Sequence, residues 1–387
     1  MKLKSILSGI ILCFVFSFIS SDVFAVTAWA RKYGFDCNVC HWSPNKLNKT
    51  GQDFLRQGHM NFKEDASGKS LSDYLSLTSK IRFNTFKQDT FEQHAFSVYT
   101  GGPLDKGFSY FAEMYLHENS GNISGNSDFS DFGRSKLAEA FLQYTYGDEK
   151  KFTTARFGQI VSQLLYIHGV GGRFGKDRAM ALTSTFGSTP YKPFQRNYGA
   201  EVSQFYKGFM GTVGVINGTG GSLFNVVDNN RHKDVYATLD YEFNKEGSVV
   251  GLYGYHGKFP RAGFDDKFFQ VGPMFNYMTK SFTLSGLALF GKNNKNIARD
   301  KSDSIGGYLE AGYKAYSDLL VPYLRFDYFD ADTKDEVGKR YGPVAGLVWS
   351  PFSYGRFVGE YTNIEDDNGP GGNNTTHKFS LEAQYMF

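Results

Sequence analysis

From about residue 74 onward the chain alternates apolar and polar positions with a period of two, the spacing that puts successive side chains on opposite faces of a strand. Residues 377–387 set Phe379, Leu381, Ala383, Tyr385 and Phe387 against Lys378, Ser380, Glu382 and Gln384. Residues 234–243 set Val235, Ala237, Leu239, Tyr241 and Phe243 against Asp234, Thr238, Asp240 and Glu242. Phe108, Tyr110, Ala112, Met114 and Leu116 likewise oppose Glu113 and His117. A sandwich core would not tolerate charge along one face of so many strands. Strands of roughly ten residues, apolar outward and polar inward with aromatic ends, mark an outer-membrane barrel. Closure follows because lipid satisfies no backbone polar group, so every strand must be paired.

Sixteen such segments are predicted: 74–86, 92–100, 107–118, 134–147, 151–161, 196–206, 208–217, 232–243, 246–257, 266–278, 281–292, 305–316, 319–330, 340–350, 354–363 and 377–387. Short turns, as at Tyr206-Lys207, Asn244-Lys245 and Thr279-Lys280, alternate with long polar loops near 119–133, 162–195, 218–231, 258–265, 293–304, 331–339 and 364–376. Only the first pair of connections is ambiguous. Short periplasmic turns and longer extracellular loops are the pattern of such barrels, and an even count leaves both barrel ends on the periplasmic side. Phe387, two residues after Tyr385, matches the aromatic carboxyl terminus of outer-membrane barrels. The loop 162–195 carries Leu164, Leu165, Tyr166, Phe174, Met180, Leu182 and Phe186, too apolar for a solvated loop of that length. It resembles the inward-folded constriction loop of general porins and is expected to pack in the lumen against the amino-terminal segment.

Composition agrees with a barrel. Of the 387 residues, 17% are aromatic and 44 are Gly, while a mean hydropathy of −0.38 excludes a helical-bundle membrane protein. A net charge of +3 without any Lys/Arg-rich run gives no sign of a nucleic-acid partner. Residues 1–25 read as a signal peptide: Lys2 and Lys4, an apolar run from Ile6 to Ile19, then Val23-Phe24-Ala25. Export to the outer membrane follows, with outer-membrane lipid around the barrel. Cys13 leaves with the leader, so Cys37 and Cys40 remain.

Cys37-Asn38-Val39-Cys40-His41 is the C-x-x-C-H pattern of covalent haem c attachment. Two thiols three apart can add to the two haem vinyl groups from one short turn, and His41 then becomes the proximal iron ligand. Competing readings are a small disulfide, a redox pair, or a zinc site completed by His41 and His59. His59 and Met60 are both candidates for the sixth iron position, His59 the favoured one, and an open iron is the third option. The choice matters because Met raises the potential relative to a second His. Tyr33, Phe35 and Trp42 are expected to cover the haem. The segment 26–68 is too short to bury a core unaided. The chain therefore divides into signal peptide (1–25), a short, mainly helical monohaem cytochrome c domain (26–68) plugging the lumen, and a sixteen-stranded antiparallel barrel (69–387).

Ala30, Arg31 and Gly34 before the C-x-x-C-H, then Pro44, Leu47, Gly51, Phe54 and Gly58, resemble the amino-terminal domain of the fused monohaem cytochrome–porins. The likeness covers the whole chain in architecture and about 28–60 in residue detail. Those outer-membrane proteins are proposed to oxidise ferrous iron. The resemblance implies one haem c, extracellular Fe(II) as donor, a periplasmic c-type cytochrome as acceptor, and iron:cytochrome c oxidoreductase-like activity. His59 after Gly58, and Asn48-Lys49-Thr50 before Gly51, depart from the family pattern and leave the sixth ligand open. Other readings are a conduit for another donor or for outward electron flow, and a solute porin with a haem-containing plug. Inward-facing acids such as Glu113, Glu139, Asp240, Glu242, Glu310, Asp327, Glu360 and Glu382 could attract a divalent cation. Interleaved Lys80, Arg82, Arg325, Arg356 and Lys378 instead predict a lumen whose charges satisfy one another, and no iron site is assigned.

Overall fold

The computed structural model describes residues 28–61, 64, 70–85, 89–118, 136–169, 171–187, 189, 191–218, 231–261, 264–294, 301–316, 319–335, 338–352, 355–367 and 372–386. The leader, Phe387, all of the predicted loop 119–133 and most of 218–231 lie outside the described residues.

The amino-terminal domain comprises α1 (Ala28–Tyr33), a 3-10 turn (Cys37–Val39), the short antiparallel pair β1 (His41–Ser43) and β2 (Lys46–Leu47), and α2 (Lys49–Arg56). A second 3-10 turn (Leu71–Asp73) leads into the barrel. Its strands are β3 (Leu75–Asn84), β4 (Thr90–Pro103), β5 (Phe108–Glu118), β6 (Lys136–Asp148), β7 (Lys151–Ile160), β8 (Asn197–Tyr206), β9 (Phe209–Ile216) and β10 (Asp234–Glu242). They continue as β11 (Val249–Arg261), β12 (Phe264–Met278), β13 (Phe282–Asn293), β14 (Ser302–Tyr313), β15 (Leu320–Asp330), β16 (Lys339–Phe352), β17 (Gly355–Asp367) and β18 (Asn373–Met386). Each strand pairs antiparallel with its neighbours, and β18 closes on β3 with Leu381 opposite Phe83. All sixteen predicted segments are present. Predicted ends shift by up to four residues, as where 246–257 runs on to Arg261 and 354–363 to Asp367; 92–100 runs on to Pro103, with Gly101 and Gly102 kept bare by neighbours. A side chain at Gly101 would press on Trp29, and one at Gly102 would stand 2.8 Å from the Tyr74 ring. The sixteen strands thus make room for the domain that precedes them.

Facing follows the sequence pattern. Leu239 and Leu381 are about half exposed on the outer wall, while Asp240 and Glu382 on the same strands are 1% and 2% exposed. Inside, the charges satisfy one another. Glu382 holds Arg82 at 2.6 Å and Arg356 at 2.8 Å, and Arg325 joins Asp327 at 3.0 Å and Glu310 at 3.7 Å. Among the described residues no group of three or more His, Cys, Asp or Glu converges as a metal site.

The connection between β7 and β8 folds inward, as its apolar content required. It carries α3 (Gln163–His168) and α4 (Met180–Thr183), and Leu164, Leu165, Phe174, Leu182 and Phe186 are buried. It meets the amino-terminal domain directly. Leu47 N donates to Gly171 O at 2.8 Å, Lys46 and Gly172 form a β-bridge, and Trp42 packs edge-on to Phe174 at 5.7 Å. The domain itself sits in the mouth ringed by the short turns: Lys49 N reaches Glu246 O (3.1 Å), Gln52 Nε2 reaches Gly247 O (3.2 Å) and Trp42 Nε1 reaches Thr279 O (2.7 Å). Trp42 is therefore anchored to the barrel wall. A cavity between α2 and α3 and another beside Tyr191 and Tyr253 measure about 10 Å³ each. Neither exceeds the space of one water.

Candidate functional site: the C-x-x-C-H turn and the domain around it

Asp36, in extended backbone, leads into the cysteine turn, where Val39 N donates to Asp36 O (3.1 Å) and Cys40 N to Cys37 O (3.3 Å). Neither cysteine is in a disulfide, and both are partly exposed. Burial, then Asp36, pushes the Cys37 thiol up to about 11, and burial raises Cys40 as well, so both are protonated thiols at neutral pH.

Asn48 joins this turn to α2. Its Oδ1 caps the helix by accepting from Gly51 N (3.1 Å), and its Nδ2 donates to Asn38 O (3.1 Å) and Val39 O (3.0 Å). Its own backbone N–H donates to Cys40 O at 3.1 Å. The polar approach to Gly51 is thus a helix cap that also holds the cysteine turn. Gly51 must lack a side chain, because a Cβ there would stand 2.2 Å from Cys40 O and 2.8 Å from the Leu47 methyl.

At its other end α2 stops on two left-handed residues, Gly58 (φ +87°) and His59 (φ +62°), with Gly58 N donating to Leu55 O and His59 N to Phe54 O. A Cβ on Gly58 would also meet Ser109 Oγ at 2.1 Å. Replacement of Gly58 by Ala is expected to destabilise the docked domain by about 1–3 kcal/mol, the cost of a strained backbone position. Limited proteolysis checks this: cleavage within 28–61 should speed up while the barrel stays protease-resistant, and an unchanged rate would refute it.

The two left-handed residues turn His59 into an aromatic cage. Its ring stacks on Phe111 (centroids 4.3 Å, 8° between planes) and on Trp29 (5.0 Å, 29°), with Phe54 edge-on at 6.1 Å. His59 Nδ1 is buried without a hydrogen-bond partner, and so is His41 Nδ1. Burial, with Arg156 adding to it, pulls His59 down to about 3. Burial pulls His41 down to about 4 against a weaker opposing contact with the Ser43 backbone. Both imidazoles are therefore neutral at physiological pH, the form that binds metal. Met60 is buried beside His59 in sequence, 1% exposed.

Residues that the sequence did not single out hold this assembly in place. Lys46, fully buried, donates from Nζ to Ser285 Oγ (2.6 Å) and Gly172 O (3.2 Å), lies 4.0 Å from the Glu310 carboxylate and sits over the Phe174 ring. Arg56 pairs with Glu242 at 2.6 Å and Asp53 at 3.1 Å, and its carbonyl accepts from Gln143 Nε2 at 2.9 Å. Lys46 and Arg56 are unusual in being charged inside a small domain. That signal was legible only once the barrel carboxylates were known to face them.

The residues fit a covalently attached haem. Two thiols outside any disulfide share one turn, and two neutral imidazoles each carry a buried nitrogen without a partner. Phe35 and Val39 beside the turn leave apolar surface bare, and Gly34 faces open space. They do not fit the zinc reading, since among the described residues Cys37, Cys40, His41 and His59 do not assemble as one cluster.

The chain matches no family model and no curated protein. Its fold is shared with solved outer-membrane structures. The Salmonella typhi OmpF complex with daunomycin aligns with a TM-score of 0.57 at 11% identity, covering 81% of this chain and 96% of that one. The outer-membrane channel DcaP of Acinetobacter baumannii gives 0.55 at 11% identity, with the same coverage of both chains. Pseudomonas putida OprB gives 0.53 at 12% identity, covering 95% of this chain and all of that one. In fold the protein is a porin-like outer-membrane β-barrel.

Proposed function

We propose that this protein transfers electrons across the outer membrane through a single haem c held in the periplasmic mouth of the barrel, with extracellular Fe(II) as donor and a periplasmic c-type cytochrome as acceptor. One observation carries the reading: the C-x-x-C-H turn lies in a domain built into the barrel, with neither cysteine in a disulfide and His41 Nδ1 buried without a hydrogen-bond partner. Cys37 and Cys40 would tether the haem and His41 would hold its iron, with His59 in the sixth position and Met60 the alternative. Haem, when bound, supplies reversible one-electron exchange between ferrous and ferric states. The chain's own residues keep both imidazoles neutral by burying them, and Trp29 and Phe111 hold the His59 ring in one orientation. The inward loop and the domain pack against each other within the barrel, which favours a conduit for electrons over a path for solutes.

The fold of the neighbours, one of them described as an outer-membrane channel, favours a second reading, a solute porin whose plug carries haem. Anaerobic mixing of the oxidised, haem-loaded protein with Fe(II), followed by visible absorbance, separates the two. Reduction of the haem by iron is expected. Reduction by dithionite alone would remove iron as donor and leave a conduit for another donor or the plugged porin.

A further inference from the structure

Among the described residues, β10 to β13 carry a basic sector on the outer wall of the barrel. On β10 the outward residues run Tyr241, Leu239, Ala237 and Val235, and the next outward position is the exposed Lys233. On β11, Val250 and Leu252 give way to His256 and Lys258. On β12, Phe275, Val271 and Phe269 give way to Lys267, and on β13, Phe290 gives way to Lys292. On four adjacent strands the lipid-facing apolar run therefore ends in a cation. The pairing puts these residues at one height: Lys258 is directly opposite Lys267, His256 opposite Phe269, and Phe269 opposite Lys292. Other sectors differ, with Asp303 at the matching place on β14 and Asn363 followed by Glu365 on β17.

Two lysines facing each other across a ladder repel. One carboxylate serves the sector from within, Asp265, at 2.5 Å from Lys258. Lys267 and Lys292 make no ion pair among the described residues; Lys292 faces Asp303, but that carboxylate is held by Lys334 at 3.1 Å. The sector lies at the end of the barrel opposite the short turns and the amino-terminal domain, which is the extracellular end. Here an apolar band meets fixed positive charge in the plane of the outer-leaflet head groups. The geometry points to a lipid site: Lys233, His256, Lys258, Lys267 and Lys292 bind the phosphorylated head of an outer-leaflet glycolipid, a lipopolysaccharide, whose acyl chains lie on Val235, Leu252, Phe269 and Phe290.

The test is native mass spectrometry of the full-length protein in detergent, titrated with purified lipopolysaccharide. The triple variant K258Q/K267Q/K292Q is expected to bind it about a hundredfold more weakly, at roughly 1 kcal/mol per lysine near an anionic surface. The variant K207Q/K280Q at the opposite rim should bind as the parent does. Equal affinity of the triple variant and the parent would overturn the site. So would an equal loss in the rim control, or a phosphatidylglycerol affinity matching that of lipopolysaccharide. Should the triple variant not fold, dephosphorylated lipopolysaccharide replaces it as the probe on the parent protein: weakened binding upholds the site and unchanged binding overturns it.

Discussion

Substituting both Cys37 and Cys40 with Ala is expected to abolish covalent haem, leaving no haem-stained band on a denaturing gel and no Fe(II)-dependent absorbance change. Each single cysteine variant should keep one thioether and show a shifted reduced band. His41→Ala should retain the attached haem but lose the spectrum of a low-spin iron held by the protein on both sides. The effect is large because the two sulfur bonds are the attachment itself. The sixth position is tested alongside. If His59 is the ligand, His59→Ala changes the visible spectrum and the potential while Met60→Leu, nearly isosteric, changes neither. The reverse result assigns Met60, with the higher potential a thioether ligand brings.

The second large effect is expected at Lys46, which ties the amino-terminal domain to both the inward loop and the wall. Lys46→Glu removes the donor to Ser285 and Gly172 and sets a second carboxylate beside Glu310. Burial already draws Lys46 down to about 8, against the pull of Glu310, so the site is costly for charge of either sign. Breaking a buried pair in this way costs roughly 3–5 kcal/mol. In planar bilayers the parent protein should conduct little, and the variant should open to porin-like conductance in a substantial fraction of channels. A parent that already conducts as an open porin would contradict the electron-conduit reading and favour the solute reading. Lys46→Met, which keeps the volume and removes the charge, should stay closed.

Much of this was legible in the residues. Period-two alternation gave the strands and their facing because lipid imposes the same rule on every one of them. Val235 and Leu239 outside and Asp240 inside follow from that rule alone. The inward loop was legible from Leu164, Phe174 and Leu182, which a solvated loop could not carry. The C-x-x-C-H was legible as a spacing, and the haem it would hold belongs to the proposal. The seating of Trp42 was not legible: a motif's neighbours in sequence say little about which way a ring turns, and the Thr279 carbonyl and Phe174 hold this one.

Sequence by itself determined the barrel, its strand count and the C-x-x-C-H spacing, since each is a local or repeating property of the chain. Only the tertiary structure decided the rest. It brought Lys46 to Glu310 and Ser285, residues more than two hundred positions away, and Arg56 to Glu242. It enclosed His59 between Trp29 and Phe111, and it gathered lysines from four strands into one sector. Those contacts depend on strand register and on where a separate domain seats in the mouth, and neither leaves a periodic trace in the chain.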